Sequence, residues 1–321
     1  MTDKIMIARR NMLKISGAIA LAIALPRPSN ATPLKLAFVH GIGQGGFDPI
    51  ELKATWYDTL KEGAASIGTT VPAGLEITFP YYGKVLDDLV RRSKLPRPSE
   101  IHSRGDAPDQ GFLDFQGEVV NEIRLRKGIT DDQINAELDE TARERGPQNW
   151  QWVQAIIRAF DRHLPKFSQD SLEVFLRDVY LYTTNSAARD EIDAIVANEL
   201  TRQPTVIVGH SLGSVVAYNV LASDGDLNVP LYVTLGSPLG INAIKRSLSP
   251  INYPKSVATW FNAFDPRDVV ALYPLDTANF PVTPLIENYG GVNNATDNRH
   301  GIIGYLNDKT VAERILRAVG T

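Results

Sequence analysis

The sequence predicts an α/β fold, a mostly parallel central sheet flanked by helices, and three observations predict it. Short β-branched apolar runs alternate with helical patterns along most of the 321 residues. The run Thr205-Val206-Ile207-Val208 passes through Gly209-His210-Ser211-Leu212-Gly213 directly into a helical pattern, a strand, turn and helix in one uninterrupted string. Two further strand-like runs follow, each ending in a loop. With 43% hydrophobic and 22% charged residues, the composition is that of an ordinary globular chain able to bury a large core.

Taken in order, the first strand covers 34–39 (Leu-Lys-Leu-Ala-Phe-Val) and ends at His40-Gly41-Ile42-Gly43-Gln44-Gly45-Gly46. That glycine-rich turn opens a helix at about 50–64, and 75–81 gives a second strand. A long, more polar segment, about 84–200, then separates it from the strand at Thr205. This segment is expected to be largely helical, an insertion ahead of the strand at Thr205 and a possible cap. Within it, 105–110 has loop composition. From Pro147 an amphipathic stretch places Trp150, Val153, Ile156, Ile157 and Phe160 at helical spacing, behind a proline suited to a first helical turn. It reads either as a helix packed on the sheet or as a cap whose Trp150 and Trp152 contact an apolar substrate. Residues 175–182 and 187–200 continue the helical material. Strands at 231–238 and 257–264 follow, and Thr310-Val311-Ala312-Glu313 reads as a capping box for a terminal helix. No internal repeat or low-complexity tract interrupts this order, so 32–321 reads as a single domain.

The first 31 residues read as an export signal. Arg9-Arg10-Asn11-Met12-Leu13-Lys14 precedes the apolar stretch 15–25 and the small-residue pattern Ser29-Asn30-Ala31, with cleavage expected after Ala31. The twin arginine resembles signals of the bacterial twin-arginine pathway, which implies that export machinery as a partner of the precursor and a periplasmic or secreted destination. An apolar run of this length falls short of the ~20 residues that span a bilayer, so no stable membrane span is expected in the mature form. Loss of residues 1–31 removes five basic residues and one acidic one, taking the net charge from −4 to −8. Such a balance argues against a nucleic-acid partner. The absence of cysteine removes disulfides, a thiol nucleophile and any thiolate metal site.

G-x-S-x-G between a strand and a helix is the pattern of a nucleophile elbow, in which Gly209 and Gly213 allow close backbone approach and Ser211 is held out at the sheet's edge. A serine needs a base to become a nucleophile, a group to orient that base, and donors for the oxyanion. Of the five histidines, His40, His102, His163 and His210 precede or lie within the elbow, and His210 is expected to point elsewhere. His300 alone follows both later strands, ahead of the terminal helix.

Ser211 and the later loops in this order resemble the α/β-hydrolase superfamily, in which the triad runs serine, acid, histidine along the chain. The resemblance covers about 34–46, 205–240, 257–272 and 300–319. It implies a carboxylate after the strand ending near Phe264. Asp268, followed by Val269-Val270, fits better than Asp265, which would instead order the loop with Arg267. The backbone N–H of Leu212 supplies one oxyanion donor, and Ile42 or alternatively Gly43 the other. His40, Trp150 and Trp152 are the substrate-binding candidates. Neither a metal nor another cofactor is implied. What the resemblance implies is a serine esterase or lipase acting on a small-molecule or lipid ester through an acyl-enzyme. Thioesterase, amidase and acyltransferase chemistry, or a non-catalytic ligand-binding scaffold, stand as alternatives.

Overall fold

The computed structural model describes residues 34–102, 110–138 and 150–320. Residues 1–31, read above as an export signal, the proline at 147 and most of the loop at 105–110 lie outside the described residues. Six strands form one parallel sheet: β1 (Lys35–Val39), β2 (Glu76–Thr78), β3 (Thr205–His210), β4 (Tyr232–Leu235), β5 (Trp260–Ala263) and β6 (Glu287–Tyr289). Their spatial order is β2-β1-β3-β4-β5-β6. Register is fixed by pairs such as Val39 with Gly209, Gly209 with Thr234, and Thr234 with Asn262.

Eleven α-helices surround it among the described residues: α1 (Pro49–Ser66), α2 (Gly83–Ser93), α3 (Gln110–Lys127), α4 (Asp131–Asn135), α5 (Trp150–His163), α6 (Gln169–Thr184), α7 (Ser186–Glu199), α8 (Leu212–Ser223), α9 (Asn242–Ser247), α10 (Ile303–Leu306) and α11 (Lys309–Val319). Alternation along the strands divides the core in two. Leu36, Phe38, Val206 and Val208 face a layer that includes Trp56 and Leu60 of α1 and Ile315 and Leu316 of α11. Ala37, Val39 and Ile207 face the opposite layer, where α3, α5, α6, α7 and α8 contribute residues such as Val119, Ile156, Phe175, Ile192 and Val216. Both faces are covered, which is why the central strands read as continuous apolar runs.

Several boundaries differ from the sequence reading. β2 stops at Thr78, ahead of Pro80, whose missing N–H cannot extend a ladder. β5 begins only at Trp260, with Val257 reduced to an isolated bridge to Val229. β6 gave no signal because Glu287-Asn288-Tyr289 is a short, largely polar edge strand. The cap of α11 is Asp308, whose carboxylate accepts from the N–H groups of Thr310 and Val311, so Thr310 lies inside the helix.

Between β2 and β3 the described residues are helical apart from short connections. Because β1 has β2 on one side and β3 on the other, the chain reverses direction across the sheet there. A crevice therefore opens at the carboxyl ends of β1 and β3. No helix among the described residues is long and apolar enough to cross a membrane.

Candidate active site

Ser211 sits between β3 and α8 with φ 53° and ψ −130°, a conformation that costs a non-glycine residue of order 1–3 kcal/mol and clusters at functional sites. The turn can be this tight because the residues two positions either side of Ser211 are glycines. A Cβ on Gly209 would come within 2.7 Å of the Ser214 backbone, and one on Gly213 would run into the carbonyls that end β1. The turn is held by the Ser211 N–H donating to the Leu235 carbonyl (3.1 Å) and by Ser214 Oγ donating to the Ser211 carbonyl (2.6 Å).

His300 Nδ1 donates to Asp268 Oδ2 at 2.7 Å. The same oxygen accepts from the buried Tyr305 hydroxyl at 2.7 Å, and Oδ1 accepts from the Val270 N–H at 2.8 Å. With its proton on Nδ1, the imidazole presents an Nε2 lone pair. Nε2 of His300 and Oγ of Ser211 are both buried, and among the described residues neither finds a hydrogen-bond partner. Both residues line one cavity of about 660 Å³.

Asp268 and Asp265 are both fully buried but have different partners. Asp265 accepts from the Arg267 N–H and guanidinium and from the Asn294 N–H. Burial alone would raise its carboxyl, but those hydrogen bonds outweigh it and hold the group below the usual carboxylate range. Asp265 thus orders the loop with Arg267, and Asp268 is the carboxylate that meets His300. Lys127 at the end of α3 pins this loop, donating to the carbonyls of Pro266 (2.8 Å) and Asp268 (3.1 Å).

The loop after β1 brings Gly41, Ile42 and Gly43 to the cavity, with Gly43 at φ 69°. A Cβ on Gly41 would lie 2.8 Å from Ser211 Cβ, which measures how closely this loop passes the serine. Leu212 is the first residue of α8, so its N–H has no acceptor within the helix. Among the described residues, neither this N–H nor that of Ile42 or Gly43 finds a backbone acceptor. Tyr81 and Tyr82 brace the loop: the Tyr81 hydroxyl lies 2.9 Å from the Gln44 carbonyl, and Tyr82 contacts His40 through both its N–H and its hydroxyl.

Two expectations about histidines are corrected. His210 does not point away: its Nε2 donates to the His300 carbonyl at 2.7 Å, and the two rings lie 4.8 Å apart. Period-2 alternation puts this position on the α1 side of the sheet, but it is also the last residue of β3, where the His300 loop folds over that face. Burial, then the nearby His300, pushes its basicity well below the usual histidine range, so His210 is neutral.

His40 is not a cavity residue. It is fully buried, donates from Nδ1 to the Gly41 carbonyl at 2.8 Å, accepts the Tyr82 N–H at Nε2, and stacks on the Tyr82 ring at 4.1 Å. Burial lowers its pKa to about 4.

Trp150 and Trp152 do not line the cavity either. Trp152 belongs to the core, with the Arg124 guanidinium over its ring, because the helical stripe Trp152-Val153-Ile156-Ile157-Phe160 turns toward α3 and α6. The middle segment does reach the cavity, but through the α5–α6 connection and the first turns of α6: Leu164, Phe167, Leu172 and Phe175. The available signal was Pro165 closing one helix and Ser168 capping the next. Among the described residues, no group of three or more His, Asp or Glu side chains is arranged to hold a metal ion. No protein-family model and no curated protein matches the chain.

Proposed function

We propose that the protein is a cofactor-independent serine hydrolase of the α/β-hydrolase fold that cleaves carboxylic esters through an acyl-enzyme. One observation carries the reading: a strained serine and a histidine bonded to a buried carboxylate share one cavity, each with its reactive atom unbonded. The parallel sheet and the position of the serine at its switch point support the fold assignment. The twin-arginine pattern at Arg9-Arg10 supports export.

In this mechanism Ser211 Oγ attacks the ester carbonyl as His300 Nε2 takes its proton. Asp268 fixes the tautomer and stabilises the imidazolium without changing its own protonation. The tetrahedral oxyanion is received by the N–H groups of Leu212 and Ile42, aided by the positive end of the α8 dipole. His300 then protonates the leaving alcohol, and water repeats the sequence in reverse to release the acid. Neutral His210 adds no second positive charge beside the imidazolium. The apolar wall of Phe47, Phe167, Leu172 and Phe175 suits an ester with a substantial hydrocarbon part.

The test is fluorophosphonate labelling of the protein beside Ser211→Ala, with nitrophenol release from short and long acyl esters. Labelling and turnover that disappear together in the variant are expected. A folded protein that takes no label would overturn the reading.

A further inference from the structure

We infer that Lys166 and Arg299 form an anion subsite in the cavity, and that the ester cleaved carries its own carboxylate. The inference rests on the hydrolase reading for the reaction, though not for the binding.

Among the described residues four non-glycine residues have left-handed φ, and three of them line the cavity: Ser211, Lys166 (φ 60°) and Arg299 (φ 55°). The fourth, Lys94, ends α2, a position where helices commonly adopt this conformation. Lys166 follows Pro165 in the turn closed by the Phe167 N–H on the Leu164 carbonyl, a position that adopts positive φ, so what sets Lys166 and Arg299 apart is their place on the cavity. Lys166 and Arg299 thus place two cations on the lining of the cavity. Lys166 Nζ donates to the Ala295 carbonyl at 2.9 Å, and the Arg299 N–H closes a turn onto the Thr296 carbonyl at 3.0 Å, so Lys166, from the α5–α6 connection, is tied to the loop that carries Arg299.

The charges lining the cavity are otherwise occupied. Asp170 is taken by Arg97, Arg267 by Asp265 and Asn293, and Lys127 by two carbonyls of the acid loop. Arg299 is half-buried beside an apolar wall, and among the described residues its guanidinium has no hydrogen bond or ion pair. Lys166 spends one of its three donors. The whole chain has a net charge of −4, so the surplus of positive charge here is opposite in sign to the protein. A guanidinium fork matches a carboxylate in two parallel hydrogen bonds, and a neighbouring ammonium adds charge. An apolar acyl or alcohol portion against Phe167 and Phe175, ending in a carboxylate, satisfies both kinds of wall.

The test uses the full chain with Ser211→Ala, which cannot turn ester over, and calorimetric titration with two matched pairs. Monomethyl glutarate against methyl butyrate puts the anion on the acyl side, and 3-acetoxypropanoate against propyl acetate puts it on the alcohol side. At least one anionic ester is expected to bind about tenfold or more tightly than its neutral partner. Adding Arg299→Gln should bring that ratio toward one, Lys166→Gln should lower it, and Arg299→Lys should keep part of it. Equal affinities within both pairs, or a preference that Arg299→Gln leaves untouched, would overturn the subsite. A preference without fluorophosphonate labelling would sink the hydrolase reading and leave the subsite standing. Labelling without preference would do the reverse.

Discussion

His210 donates its Nε2 proton to the main-chain carbonyl of His300 at 2.7 Å, so the residue before Ser211 fixes the loop that carries His300, the proposed base. Trp56 packs edge-on against the His210 ring at 6.1 Å, holding it in place. Replacing His210 with phenylalanine keeps a buried ring but leaves the His300 carbonyl without its donor. An unpaired buried acceptor costs about 1–3 kcal/mol, and the loop is expected to shift to relieve it. Turnover of a nitrophenyl ester should fall about 10–100-fold in kcat with KM changed much less, since a misplaced base weakens the transition state rather than ground-state binding. Unchanged kcat in a folded variant would refute this role.

Tyr305 links the two aspartates of the acid loop. Its hydroxyl donates to Asp268 Oδ2 and accepts the Asp265 N–H at 3.3 Å. In Tyr305→Phe both bonds vanish while the ring still fills its site. Stability should drop by about 1–3 kcal/mol in denaturant titration, and kcat by roughly tenfold. The resonance of the His300 Nδ1 proton should move, a response that simple loss of stability would not produce.

Gly41 tests the loop that passes Ser211. A Cβ there would sit 2.8 Å from Ser211 Cβ and 3.2 Å from the His210 carbonyl, so Gly41→Ala must displace the loop bearing the Ile42 N–H. With the Ile42 N–H as the proposed oxyanion donor, its loss predicts a fall of about 10²–10³ in kcat. Thermal unfolding should show the variant still folded, and wild-type turnover in it would exclude Ile42 as a donor.

Acid sensitivity should trace in part to His40. Its folded pKa of about 4 lies below the unfolded 6.5, so the unfolded chain binds the proton first and stability falls as pH drops from 6.5 toward 4. The full span is worth roughly 3 kcal/mol. Buried Asp178 acts with the opposite sign. Burial raises its carboxyl to about 6 against the pull of Arg177, so its destabilising effect is present above pH 6 and is relieved as pH falls toward 3.8. His40→Gln should therefore be less stable than wild type at pH 7.5, having lost the Tyr82 stack. Its further loss on going to pH 4.5 should be smaller than wild type's by about 2–3 kcal/mol. Parallel stability curves would exclude His40 as the source.

Much of the sheet was legible in the sequence because its central strands are buried on both faces, and burial writes itself as runs such as Val206-Ile207-Val208. Ser211, Asp268 and His300 were legible for a different reason: the glycines of the elbow and the order of the later loops constrain where a serine, a carboxylate and a histidine can meet. Other features had no such imprint. β6 is too short and polar to leave a pattern, and His40, Trp150 and Trp152 are residue types that serve a core as readily as a site.

Only the tertiary structure decided which side chains share a space. Through it His210 came to His300, Tyr305 joined the two aspartates, Lys127 reached the acid loop from α3, and Lys166 met the Ala295 carbonyl across 129 positions of chain. Local pattern records the period and burial of an element. Contacts between loops distant in sequence depend on how the layers pack, which no single segment encodes.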